Sequence, residues 1–176
     1  ALTFEFPEIV EEFAEYILIE VGRDIMRKTG MNTIEREFTI YCGVTDYTIP
    51  LPECVELVRI EGIWDGDSPM RFLVDREINQ VRFPAVNATR KVFVRMSVAV
   101  KPESCELPEM IVDTYRDALL HGARARVHST ASSPYYNPDL IKINNQSYER
   151  AVREILIDGF YGSKSGFVEA DFGRFV

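Results

Sequence analysis

Histidine is almost missing from this 176-residue chain: only His121 and His128 occur, alongside one tryptophan, Trp64, and three cysteines, Cys42, Cys54 and Cys105. Each scarcity excludes a chemistry. The cysteines are scattered and no CxxC occurs, so neither a zinc site nor a disulfide framework is expected, only reduced thiols in a protein made in a cytoplasm. The histidines lie on one predicted helix about 10 Å apart along its axis, too far to share a metal. No GxSxG elbow, GxxxxGK[ST] loop or GxGxxG loop is present. The stretch WDGDS at 64–68 lacks the twelve-residue ligand ladder of a calcium loop and reads as a hairpin turn. We therefore expect no metal, no cofactor and no enzymatic activity.

Basic charge is also in short supply. Lys and Arg number 20 against 28 acids, for a net charge of −8. That balance opposes tight binding of nucleic acid, which needs clustered cations on phosphates. An acidic surface would still let DNA pass without sticking. No uninterrupted apolar run is long enough for a bilayer, and the opening ALTFEF lacks the basic and apolar regions of a signal peptide. No membrane partner is expected.

What is present is periodicity. Over 8–28, Val10, Phe13, Ala14, Ile17, Leu18, Val21 and Ile25 recur at helical steps. Pro7 suits the first helical position, and Gly30 suits a left-handed stop. From 34 to 100 the period changes to two. EREFTIY, DYTIPLP, ELVRIEGIW, MRFLV, INQVRFP and KVFVRMSVAV read as about six strands, with DGDSP turning a hairpin. In the last strand Val92, Val94, Met96, Val98 and Val100 form one apolar face. Trp64 reads as capping this β region or as a partner anchor.

Helical spacing returns in PEMIVDTYRDALLHGARARVHS, with a stripe of Ile111, Tyr115, Ala118, Leu119, Gly122 and Ala125. Its small residues suit close packing, either inside a bundle or between subunits. After a polar loop, Asn137 is a fitting N-cap for a helix from 138 to about 160 that carries Leu140, Tyr148, Ala151, Val152, Ile155 and Leu156. The expected fold class is α+β: a helical bundle of an N-terminal helix and two C-terminal helices (1–33 and 101–161), with an antiparallel β-sandwich or barrel inserted over 34–100. An extended C-terminal arm follows over 162–176.

The segments YTIPLPECVELVRIEGI and KPESCELPEMIVDTYRDALLHGARARVHS, with the following NPDL and YERAV, resemble the head-to-tail adaptor proteins of tailed bacteriophages. That group includes the tail tubular protein A of short-tailed phages. The resemblance covers about 40–160 and rests on a diffuse pattern, ELP, then Tyr115, then DALLHGA. It implies a structural virion protein at the head–tail junction, assembled as a ring, usually of twelve copies, beneath the portal protein. Such adaptors attach after DNA packaging, help retain the genome and support a tail nozzle, while DNA passes the channel without specific binding.

The resemblance also suggests a role for the arm. Phe167, Phe172, Arg174 and Phe175 become candidate contacts with the portal, and Tyr115 and Gly122 candidate contacts between subunits. Burying one Phe contributes about 1.5–3 kcal/mol, while ordering backbone costs about 1–2 kcal/mol per residue. One arm alone would bind weakly and a ring of arms firmly. Folding of the arm over its own bundle is the competing reading. Three functional alternatives stay open: a neck or tail-completion protein of a longer-tailed phage, a binding module lined by Trp64, Tyr47 and Phe72, and a hydrolase with a spatial Cys–His pair.

Overall fold

Gly30 stops the first long helix in the left-handed conformation expected of it, with φ 66° and its N–H donating to Met26 O at 2.8 Å. The computed structural model describes residues 2–75, 80–103, 106–131 and 133–162. Their elements are, in order, α1 (Leu2–Glu5), α2 (Glu11–Thr29), β1 (Thr33–Ile40), β2 (Asp46–Thr48), β3 (Val55–Asp65), β4 (Ser68–Pro69), β5 (Leu73–Asp75), β6 (Gln80–Arg82), β7 (Arg90–Val100), α3 (Glu109–Asp113), α4 (Arg116–Ser129) and α5 (Pro138–Gly162). The class is α+β, with helices flanking an antiparallel β region in sequence.

The strands form two sheets, one ordered β1-β7-β3-β4 and one β2-β6-β5, and the described strands close no barrel. Between them Ile40, Ile63, Val81, Phe83, Val94 and Met96 make one buried cluster. A second cluster unites the helices through Val21, Ile25, Met26, Leu119, Tyr148 and Val152. β7 serves both: Val92 to Val98 supply the sheet cluster at alternate positions, while Ala99 and Val100 join the helical one. Val100 thus leaves the single face its spacing predicts. Arg23 and Arg27 of α2 bind Glu56 of β3, at 3.1 Å and 2.7 Å, tying the helices to the sheet. Burial would raise the Glu56 pKa, but the hydrogen bonds from the two arginines outweigh it and hold the carboxyl below its usual range.

Four local expectations are corrected. The N-terminal helix starts at Glu11 and not at Pro7, because residues 2–9 fold back as α1 and a turn, with Phe6 N–H on Leu2 O and Ile9 N–H on Phe6 O. The helix expected from Pro108 breaks into α3 and α4 at Thr114–Tyr115, where Tyr115 takes φ −109° and ψ 27°. MRFLV does not complete the hairpin after DGDSP. The turn forms, with Gly66 at φ 58°, but pairing stops near Pro69, and Leu73–Asp75 crosses to the other sheet. Trp64 does not cap the sandwich. It shares the outer sheet face with Arg95, whose guanidinium sits 5.9 Å from the indole centroid, while its neighbour Ile63 faces the core.

Candidate functional site

The face of α2 that meets the core is set by Ala14, Ile17, Val21 and Ile25, all buried. Each step along a helix turns the side chain by about 100°, so Phe13 points well away from Ala14. Val10, Phe13 and Tyr16 are left on the surface, 65%, 42% and 55% exposed. The apolar stripe read from spacing is therefore wider than the buried one, and the excess faces solvent. Glu12 lies beside Tyr16, and Glu11 and Glu15 are exposed further round the helix.

α5 behaves in the same way. Asn137 caps it as expected, its Oδ1 accepting from the N–H groups of Asp139 and Leu140 at 3.1 and 3.2 Å. Tyr148, Val152 and Ile155 are buried. Leu140 and Leu156, expected in that stripe, are exposed. Ile143 and Ile157, 56% and 53% exposed, lie with Arg150 at seven-residue intervals opposite the buried side. Sequence reasoning missed these two isoleucines. Their signal is the seven-residue repeat itself, which runs along the side of the helix away from the core stripe.

The six predicted site residues divide sharply. Phe167, Phe172, Arg174 and Phe175 lie outside the described residues, as does the arm from 163 onward. Tyr115 is half-buried at the start of α4, packed against the helical cluster. Burial, then the negative charge of Asp158, raises its phenol pKa. Gly122 is buried, and a Cβ there would come within 2.5 Å of Val21 Cγ1 and 3.0 Å of Tyr148 Cδ2. Its smallness serves packing of α2, α4 and α5 within the subunit. It floors a notch of about 170 Å³ shared with Asp24, Lys28, Arg126 and Tyr148.

Above that notch the Tyr148 hydroxyl donates to Asp24 Oδ2 at 2.6 Å, and Lys28 Nζ lies 4.8 Å from its ring centroid. Burial first, then the Asp24 hydrogen bond and charge, push the phenol far above its usual pKa. Above pH about 10 an unfolded tyrosine loses its proton while the folded Tyr148 keeps it. Stability is therefore whole below that pH and falls as pH rises beyond it. Tyr148→Phe should remove this alkaline fall and cost about 1 kcal/mol near neutrality. Urea titrations at pH 7 and at pH 11 check both; an unchanged alkaline fall would refute the assignment.

The residues of the alternative readings do not converge. Tyr47 packs on the inside of the sheets, its ring 5.7 Å from that of Phe83, and Phe72 packs on the same cluster, whereas Trp64 is on the outer face. His128 Nδ1 donates to Tyr135 O at 2.7 Å, and His121 Nδ1 lies 3.4 Å from Asn144 Oδ1. Both histidines are on α4, while Cys42 and Cys54 are exposed beside the strands and Cys105 lies outside the described residues. Among the described residues no group of three or more His, Cys, Asp or Glu side chains could hold a metal ion. No described helix is long and apolar enough to cross a membrane. A groove of about 890 Å³ lies between the outer sheet face and the end of α5, lined by Met31, Glu35, Arg59, Arg95 and Leu156 among others.

The site is thus a pair of apolar helical surfaces on an α+β subunit. Compared with known proteins, the chain matches no family model and no curated protein.

Proposed function

We propose that this chain is a structural virion protein, a ring-forming head-to-tail adaptor that docks on a phage portal after DNA packaging, helps retain the genome and carries the tail. The observation that supports this reading is the pair of exposed apolar stripes on α2 and α5. A subunit that leaves two such surfaces on its outer helices is suited to assembly, because burying each side chain against a neighbour contributes about 1.5–3 kcal/mol. The sequence resemblance supplies the kind of assembly. The net charge of −8 suits a channel through which DNA slides without being held. A neck protein of a longer-tailed phage would use the same surfaces against a different partner.

Light scattering and electron microscopy of the full chain, alone and mixed with the portal of its own phage, test the proposal. Rings on the portal are expected. Removal of residues 163–176 should weaken that attachment at least about tenfold if the phenylalanines act as multivalent anchors. A protein that stays monomeric beside its portal and neck proteins would sink the adaptor reading.

A further inference from the structure

α5 ends at Gly162, next to the groove of about 890 Å³ on the outer sheet face. Leu156 and Gly159, one helical turn apart, form its helical wall, and Gly162 follows three residues later. Leu156 is 42% exposed there. Gly159 leaves the wall open, since a Cβ on it would meet only Met31 Cγ, at 3.8 Å. Met31 and Ile60, both partly buried, add apolar surface. Beyond Arg95 the same sheet face continues into Trp64 and its register partner Phe93, which is 46% exposed. The charged groups of the groove already pair with one another, Arg59 with Glu61 at 3.5 Å and Arg95 Nε with Glu35 at 2.8 Å. They leave little to orient a small charged ligand.

We infer that residues 163–176 of the same chain occupy this groove in the free subunit, with Phe167 set against Met31 and Leu156. The argument is one of connection and apolar content. Phe167 lies five residues past Gly162, so it reaches no further than about 18 Å from the helix end. Phe167 and Val168 are thus delivered to the groove by the helix that walls it, and Phe172 and Phe175 can follow the sheet face towards Phe93. Charge does not choose the occupant. Lys164 and Arg174 balance Glu169 and Asp171 in the arm, as the two ion pairs balance in the groove. Tethering does choose it. A short tether holds the arm at an effective concentration on the order of millimolar, and its docking is spared the loss of free translation that a separate partner meets. The inference goes beyond the adaptor reading and does not rest on it. On a portal the same phenylalanines must leave the groove, which then serves as the store of the arm before attachment.

Photo-cross-linking of the full chain tests this. Phe167 is replaced by p-benzoylphenylalanine, whose excited ketone inserts into nearby C–H bonds, and the products are mapped by peptide mass. A mixture of unlabelled and ¹⁵N-labelled chains separates cross-links within a chain from those between chains. Within-chain products at Met31, Ile60 or Leu156 are expected. Leu156→Glu, at an exposed position and with folding checked by circular dichroism, should cut their yield about fivefold or more. Products elsewhere on the subunit, no products, or a yield unchanged by Leu156→Glu would overturn the groove as the seat of the arm. Products of mixed isotope would overturn the same-chain assignment and make the occupant the arm of a second copy. The adaptor reading is decided separately, by ring formation on the portal.

Discussion

Gly122→Leu is expected to destabilise the subunit by about 3 kcal/mol, lowering the thermal midpoint by roughly 6–12 °C for a chain of this size. Even the first added carbon meets Val21 Cγ1 at 2.5 Å and the Tyr148 ring at 3.0 Å. Neither neighbour can give way cheaply. Val21 is β-branched and confined in a helix, and Tyr148 is held by its 2.6 Å bond to Asp24. Helix propensity runs the other way, favouring Ala over Gly by about 1 kcal/mol, so Gly122→Ala isolates the packing cost. Gly159→Ala is the control. It lies in α5, where an added Cβ meets only Met31 Cγ at 3.8 Å, and propensity alone should stabilise it by about 0.5–1 kcal/mol. Urea midpoints of the three variants read this directly. A wild-type midpoint for Gly122→Leu would mean the helices do not cross there.

The contrast between those glycines shows what the sequence could and could not disclose. Features fixed by a few neighbouring residues were legible. Gly30 closes α2, Asn137 opens α5, Gly66 turns the hairpin, and β7 alternates as its valines require. The α+β plan with a β insertion followed from the change of period. Features set by contacts distant in sequence were not. A helix with a broad apolar arc does not say which part of the arc meets the core, and Phe13 and Ala14 looked equivalent until the partners of α2 were in place. The small residues of α4 left two readings open, and the close approach of Val21 and Tyr148 at Gly122, which supplies the packing reading with its contacts, joins residues about 100 and 26 positions apart.

Phe6→Ala is expected to cost about 3 kcal/mol, and its effect should extend to assembly. Phe6 is buried, with its ring edge-on to His128 at 5.4 Å and to Tyr135 at 5.0 Å. Those contacts, with the Glu5–Arg124 ion pair, hold the segment before α2 against α4. The Tyr135 hydroxyl also accepts from the Glu8 N–H at 3.2 Å, just ahead of Val10 and Phe13. Removing the ring opens a cavity at this junction and loosens the turn from which α2 starts. The proposed docking face would then be presented less rigidly, and self-association should weaken in step with stability. Glu5→Gln separates the two effects. It removes the charge pairing with Arg124, an ion pair that is partly solvent-exposed, and leaves the Phe6 ring contacts in place, so its cost should stay near 1 kcal/mol or below. Thermal unfolding and sedimentation of both variants distinguish the outcomes. A Phe6→Ala protein that loses no more stability than Glu5→Gln would show that the segment is not anchored by its ring. One that loses stability but associates as wild type does would show that the start of α2 takes no part in the contact between copies.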